Sequence, residues 1–456
     1  MYDLLVKNAK VVGSEDIENL NIYVKNGKIA ALTNWDEIFE AEKTIDVDGK
    51  LVFPGFIDTH AHLNDPGYEW REDYKHGTRG AIIGGYTTII DMPLQNEPAM
   101  TSGDLFDRKE EKVGKHAYSD YCFWGGLIPD NLDKLKEQDE KGVVSFKSFI
   151  GPVSPDYASL NYGRVYRALE IIKEFDGRAG FHCEDFSIIK ERENFMKECG
   201  RLTWRDFLDS RPVSAEYIAT AAVIEMAREI GCKVHICHIS HPDVAQLVKD
   251  AQKDGVDVTA ETCSHYLVFN ENDVLENGPM FKCAPPLRTT EDMEKMWDYV
   301  LDGTFSGIAS DHSPCSYDEK HNEILGNKIE NVFDVWGGIS GIQSSVQAVL
   351  SKALEKDFPL TKLSKAMAEN PAKAFGIYGK KGAVKVGFDA DLVVVDKDKE
   401  WEITADSLEY VNKISAFVGL KGKGQAVKTI LRGELVAEDG KVIGKEGYGQ
   451  LVKKVK

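Results

Sequence analysis

Eight apolar, strand-like runs separated by stretches of helical periodicity constrain the middle of this chain more than any other feature. They fall at residues 51–58, 85–92, 117–126, 142–150, 178–183, 233–239, 257–263 and 307–311. Parallel strands buried on both faces read as near-continuous apolar runs, whereas one-sided strands alternate. The clearest intervening helix is Ser214 to Ile230, where Ala215, Ile218, Ala219, Ala222, Val223, Met226 and Ile230 recur every three or four residues and define a buried face. Eight strand–helix units predict an α/β fold, a closed (β/α)8 TIM barrel. Its chemistry would gather at the C-terminal ends of the strands.

The ends have a different character. Residues 1–50 and 376–456 read as short strands joined by tight turns, for example Asn21–Val24 before Asn26-Gly27, and Leu392–Val395 and Glu434–Val436 before Asp439-Gly440. One small β-sandwich domain built from both termini is expected, around a barrel spanning 51–375. The net charge of −19 disfavours nucleic acid or an anionic membrane as partner. No apolar stretch nears the ~20 residues that span a bilayer, and Met1–Lys7 lacks a signal-peptide pattern. A soluble, cytoplasmic protein is the expectation. None of the eight cysteines falls in a Cys-x-x-Cys pair, and Cys232 and Cys237 read as small buried hydrophobes.

The chemistry-bearing residues collect at the strand ends. His60 and His62, in Asp58-Thr59-His60-Ala61-His62, are two apart and so share a face. Lys147 lies on the fourth run, His182 on the fifth, His238 on the sixth and Asp311 at the end of the eighth. Distant in sequence, all six converge at one mouth of a closed barrel and could ligate metal. Lys147 would be repelled by cations as an ammonium. Either it bonds a barrel carboxylate, or CO2 has carbamylated it into an anionic bridge between two divalent ions about 3.5–4 Å apart. Asp311 can ligate one ion and carry a proton from the attacking water to a leaving nitrogen. By strand parity His235 faces away from His238, while His265 and His312 read equally as supporting or structural residues.

In this order these residues resemble the cyclic amidohydrolases, the group holding dihydroorotases, hydantoinases, dihydropyrimidinases and allantoinases. Within the group the strings Asp65-Pro66-Gly67, Gly84-Gly85-Tyr86-Thr87-Thr88, Asp91-Met92-Pro93-Leu94, Asp209-Ser210-Arg211-Pro212, Lys282–Arg288 and Trp336-Gly337-Gly338-Ile339 are most similar to allantoinases. The resemblance implies a two-metal barrel with a carbamylated lysine, zinc first and manganese, cobalt or iron as alternatives, and a homo-oligomer, commonly a tetramer. It also implies a small cyclic ureide as substrate, with allantoin opened to allantoate in purine metabolism.

Asn64 stands where a dihydroorotase would place an arginine for the substrate carboxylate, which favours a neutral ring. Gln95 and Ala284 depart from the allantoinase pattern, as does the loop Ile150–Tyr157. Tyr157 and Trp336 could enclose a flat heterocycle, and Asn64, Gln95, Ala284 and Ser313 are the further candidate substrate contacts. Hydrolysis of another cyclic ureide or imide by a hydantoinase or dihydropyrimidinase is the alternative. A scaffold protein that has lost its metals is a reading of another class, but such chains lack several ligands. A metal-dependent deaminase would not need Lys147.

Overall fold

The computed structural model describes residues 1–153, 157–321 and 331–455; Ser154-Pro155-Asp156, within the loop that departs from the allantoinase pattern, lies outside them. The N-terminal strands are β1 (Tyr2–Val12), β2 (Ile17–Lys25), β3 (Lys28–Asn34), β4 (Ala41–Asp46) and β5 (Leu51–Pro54). Eight further strands follow, β6 (Phe56–Ala61), β7 (Tyr86–Asp91), β8 (Asp120–Gly126), β9 (Ser145–Phe149), β10 (Arg178–His182), β11 (Lys233–Ile236), β12 (Val258–Cys263) and β13 (Gly307–Ala309). The chain ends in β14 (Leu392–Glu402), β15 (Lys421–Leu431), β16 (Glu434–Glu438) and β17 (Lys441–Val442).

Strands β6 to β13 pair in sequence order into one parallel sheet, with helices between them. It closes through side chain and loop rather than a full ladder. The buried Asp58 carboxylate accepts from Ser310 N at 2.9 Å and from Ser310 Oγ, and His62 N donates to His312 O at 2.8 Å. Burial in that seam pushes the Asp58 carboxyl up to about 7.

The termini join in a mostly antiparallel sheet of nine strands among the described residues, with β14 paired to β5 and β15 beyond it. Leu4, Val6, Val11, Val24, Val52, Leu392, Val394 and Ile430 form its own apolar cluster. The run 51–58, expected as one barrel strand, is therefore two, and Leu51–Pro54 belongs to the terminal sheet. Gly55 makes the crossing. Its N–H donates to Asp391 O at 2.7 Å, and a Cβ there would collide with the Thr87 side chain and Asp391 Cβ.

The helix expected at Ser214–Ile230 runs from Val213 to Ile230. Its buried stripe is Ala215-Ala219-Val223-Ala227; Ile218, expected inside, lies about 100° around the helix from Ala219 and is 46% exposed. All eight cysteines are free. Among the described residues no helix is long and apolar enough to cross a membrane.

Candidate active site

The strand ends bring all six expected ligands to one cavity of about 600 Å³. His60 ends the inward register of β6, and His62 follows directly. Lys147 sits mid-β9 and His182 closes β10. His238 and Asp311 lie just past their strands, and both turn into the mouth through left-handed backbone, φ 38° and 42°. That turn also undoes the parity expected for His235. It lies inside the barrel, its Nε2 3.4 Å from Glu261 Oε2 and its Nδ1 2.8 Å from Thr259 Oγ1.

The donor atoms form two clusters. The Nε2 atoms of His60 and His62 each stand 3.4 Å from Asp311 Oδ1. His182 Nδ1 stands 3.1 Å from His238 Nε2. For bonds of ~2.0–2.1 Å to a tetrahedral ion, ligand atoms sit about 3.3 Å apart, so both clusters have the spacing of ligands on one edge of a divalent metal. Between them, Lys147 is fully buried, and its amine has no hydrogen-bonding partner among the described residues. The carboxylate-bonded reading of this lysine therefore has no counterpart here. An orphaned buried amine beside five donors fits a metal pair better than an empty apolar floor.

Burial favours the neutral form of His60, His182 and His238, the state that ligates. Burial, with the Lys147 charge adding to it, pushes His60 down to about 4, and His238 and His182 are lowered by burial first. Burial opposes ionisation of Asp311, but His60 and His62 outweigh it and hold the carboxyl at about 2.

Sequence reasoning missed the carboxylates behind these ligands. His60 Nδ1 donates to Glu261 Oε1 at 2.6 Å, and His182 Nε2 donates to Glu184 Oε2 at 2.9 Å. Arg211 NH1 reaches the same Glu184 oxygen at 2.6 Å and NH2 reaches Glu193 at 3.1 Å. Burial opposes the Glu184 charge, yet Arg211 and His182 hold it at about 2. The available signal was Glu261, an acid within a strand-like run; Glu184, two residues past β10, carried none. His312 is buried against Glu72, with Nε2 3.4 Å from the carboxylate, and His265 is fully buried within the reach of Asp311 and Cys263.

Of the expected substrate contacts, Gln95, Ala284, Ser313 and Trp336 line the cavity. Asn64 does not. It is buried behind Gln95, donating through Nδ2 to Gln95 O at 3.2 Å and Oε1 at 3.3 Å. Tyr157 also fails to face the cavity: its hydroxyl donates to Lys147 O at 2.6 Å and accepts from Leu127 N at 3.0 Å, so the ring buttresses β9 instead. Phe207, Phe333, Val335 and Arg211 complete the wall.

The comparisons with known proteins agree with this architecture. The chain is 36% identical over 462 residues to an allantoinase of Bacillus licheniformis, covering 99% of each. It is 36% identical over 441 residues to an allantoinase of Salmonella newport, covering 95% of each. The structure superposes on the L-hydantoinase (dihydropyrimidinase) from Arthrobacter aurescens with a TM-score of 0.96 over the whole of both chains at 32% identity. With the family model matching residues 51–436, across the barrel and into the terminal sheet, the chain belongs to the amidohydrolase family.

Proposed function

We propose that the chain is a metal-dependent cyclic amidohydrolase that opens the ring C–N bond of a neutral cyclic ureide, allantoin to allantoate first. The observation that carries this reading is the buried Lys147 amine, without a hydrogen-bonding partner among the described residues, in the same cavity as the His60–His62–Asp311 cluster and the His182–His238 pair. His60, His62 and Asp311 would hold one divalent ion and His182 and His238 a second, with Lys147 bridging as its carbamate; zinc is the first candidate. When bound, the pair would supply Lewis acidity toward the ring carbonyl and a water acidified toward neutral pH.

The remaining work belongs to the side chains. Glu261 and Glu184 fix which nitrogen of His60 and His182 faces the cavity. The Asp311 carboxylate, held ionised, accepts the proton of the attacking water and returns it to the departing ring nitrogen. Gln95, Ser313 and Trp336 enclose the ring. Position 64 offers no cationic fork to a substrate carboxylate, because Asn64 is spent on Gln95. A homotetramer in the cytoplasm, acting in purine breakdown, completes the proposal on the strength of the family resemblance.

A second reading, hydrolysis of substituted hydantoins, is favoured by one observation: Phe207, Phe333, Val335 and Trp336 give the outer cavity an apolar side. Kinetics of the metal-replete protein with allantoin, hydantoin, dihydrouracil and dihydroorotate decide between them. Allantoin should lead, hydantoin should come nearest, and dihydroorotate should trail by a wide margin. Efficient opening of dihydroorotate, or of no neutral ureide, would sink the reading.

A further inference from the structure

The outer wall of the cavity is built from residues 332–338, which carry Phe333, Asp334, Val335, Trp336 and Gly337 into the lining. Apart from a single 3-10 turn at Val332–Asp334, this segment has no helix or strand to satisfy its backbone. Two buried lysines do so instead. Lys282 Nζ donates to Val332 O at 2.8 Å, Phe333 O at 3.2 Å and Val335 O at 2.5 Å. Lys320 Nζ donates to Trp336 O at 3.2 Å, to Gly338 O, and at 3.1 Å to the carbonyl of Lys282 itself. Each ammonium has three donors, and each meets three carbonyls.

Neither lysine is explained by solvation or by ion pairing. Lys282 is 5% and Lys320 1% exposed, and no carboxylate lies within salt-bridge distance of either among the described residues. Burial lowers both, Lys320 to about 8. A buried cation that spends every donor on main-chain carbonyls, all of them in 332–338 for Lys282 and two of three for Lys320, is a costly way to fill space and an effective way to fix a backbone. The two are also linked in series: Lys320 fixes the carbonyl of Lys282, and Lys282 fixes the wall.

We propose that Lys282 and Lys320 are positioning residues for substrate selection, a pair of pins that hold the wall 332–338 at the distance that discriminates one ring from another. This rests on the cyclic-ureide reading of the cavity. The metal-ligating side chains are on other segments, so the pins act on fit and leave the metal donors in place.

The test replaces each pin with methionine, Lys282→Met and Lys320→Met, and reads three quantities: amide hydrogen exchange, metal content, and kcat and KM for allantoin and hydantoin. Exchange across 332–338 should quicken at least tenfold while residues 56–62 keep their protection and metal content stays at the wild-type value. The ratio of kcat/KM between the two rings should move at least fivefold, with the loss concentrated in KM. Unchanged exchange in 332–338 would overturn the proposal, as would equal losses of kcat on both rings at a constant ratio. Should either methionine variant fail to fold, Lys282→Gln and Lys320→Gln, which keep a donor, must move the ratio away from its wild-type value by at least twofold; a fixed ratio would again overturn it. A wild-type protein inactive on every cyclic ureide would remove the functional reading, and the exchange experiment would still decide whether the pins hold the wall.

Discussion

Glu261 Oε1 stands 2.6 Å from His60 Nδ1, on the side of the imidazole away from Asp311. The carboxylate accepts the Nδ1 proton, so the lone pair of His60 is on Nε2, toward the cavity. Thr59 Oγ1 also donates to Glu261, and His235 approaches its second oxygen. Burial works against this carboxylate, but His60 and His235 keep it ionised. The pair is thus a fixed tautomer on a rigid strand rather than a surface ion pair.

Replacing Glu261 with glutamine should therefore weaken metal binding at intact fold. Loss of a carboxylate behind a ligating histidine typically lowers metal affinity about 10- to 100-fold. Chelator competition on Glu261→Gln should show that loss, with the circular-dichroism spectrum of the wild type. Wild-type affinity would mean that His60 is oriented by something else.

Lys147 gives a prediction of a different kind. Its buried amine lies over the Phe149 ring with no hydrogen-bonding partner among the described residues, and only the carbamate would turn it into a two-oxygen ligand. Lys147→Ala should retain less than two metals per chain and lose most activity, and a short carboxylic acid in the buffer should restore part of both. A variant that binds two metals and turns over normally without the acid would rule out the bridge.

The barrel could be read from sequence because eight parallel strands buried on both faces leave apolar runs that little else produces, and because its chemistry is confined to strand ends. Gly55 was harder. Residues 51–57 are apolar throughout, and only the packing against Thr87 and Asp391 shows that the chain changes sheets there. The same limit applies to His235, since alternation holds only while the backbone stays extended, and the turn at His238 breaks it. Glu261, Glu184 and the two lysine pins are charged residues whose meaning depends on partners from other elements: His60 for Glu261, Arg211 for Glu184, and the carbonyls of 332–338 for Lys282 and Lys320. Tyr157 illustrates the opposite error: an aromatic in a loop suggested a ring contact, whereas its hydroxyl is bonded to the main chain of β9.

Asp311 combines ligation and proton transfer, and its substitution separates them in part. Asp311→Asn keeps the size of the side chain, removes the charge and removes the base. General acid–base catalysis contributes roughly 10²- to 10⁴-fold, so turnover should fall by at least that range. Steady-state kinetics at saturating metal provide the measurement. Turnover near wild type would remove Asp311 from the reaction.

Stability should depend most sharply on a site far from the cavity. Lys381, 1% exposed, stands 2.6 Å from Asp120 Oδ2 at the start of β8, 3.1 Å from Asp389 and 2.6 Å from Asp391 Oδ2 just before β14, while Arg432 after β15 bonds the same Asp120. Gln450 N donates to Asp120 Oδ1 at 2.9 Å and Arg432 N to Asp391 Oδ1 at 2.8 Å. The knot ties the barrel to the terminal sheet. Lys381→Met would leave buried carboxylates facing one another with Arg432 on Asp120 and the half-exposed Lys28 on Asp389 as the remaining cations, and removal of one partner from a buried ion cluster costs about 3–5 kcal/mol. Urea denaturation should register that loss, and Asp391→Asn added to Lys381→Met should recover part of it, because one of the stranded charges is then gone. If the single variant unfolds at the wild-type midpoint, or if the second substitution only deepens the loss, the cluster is not what holds the two sheets together.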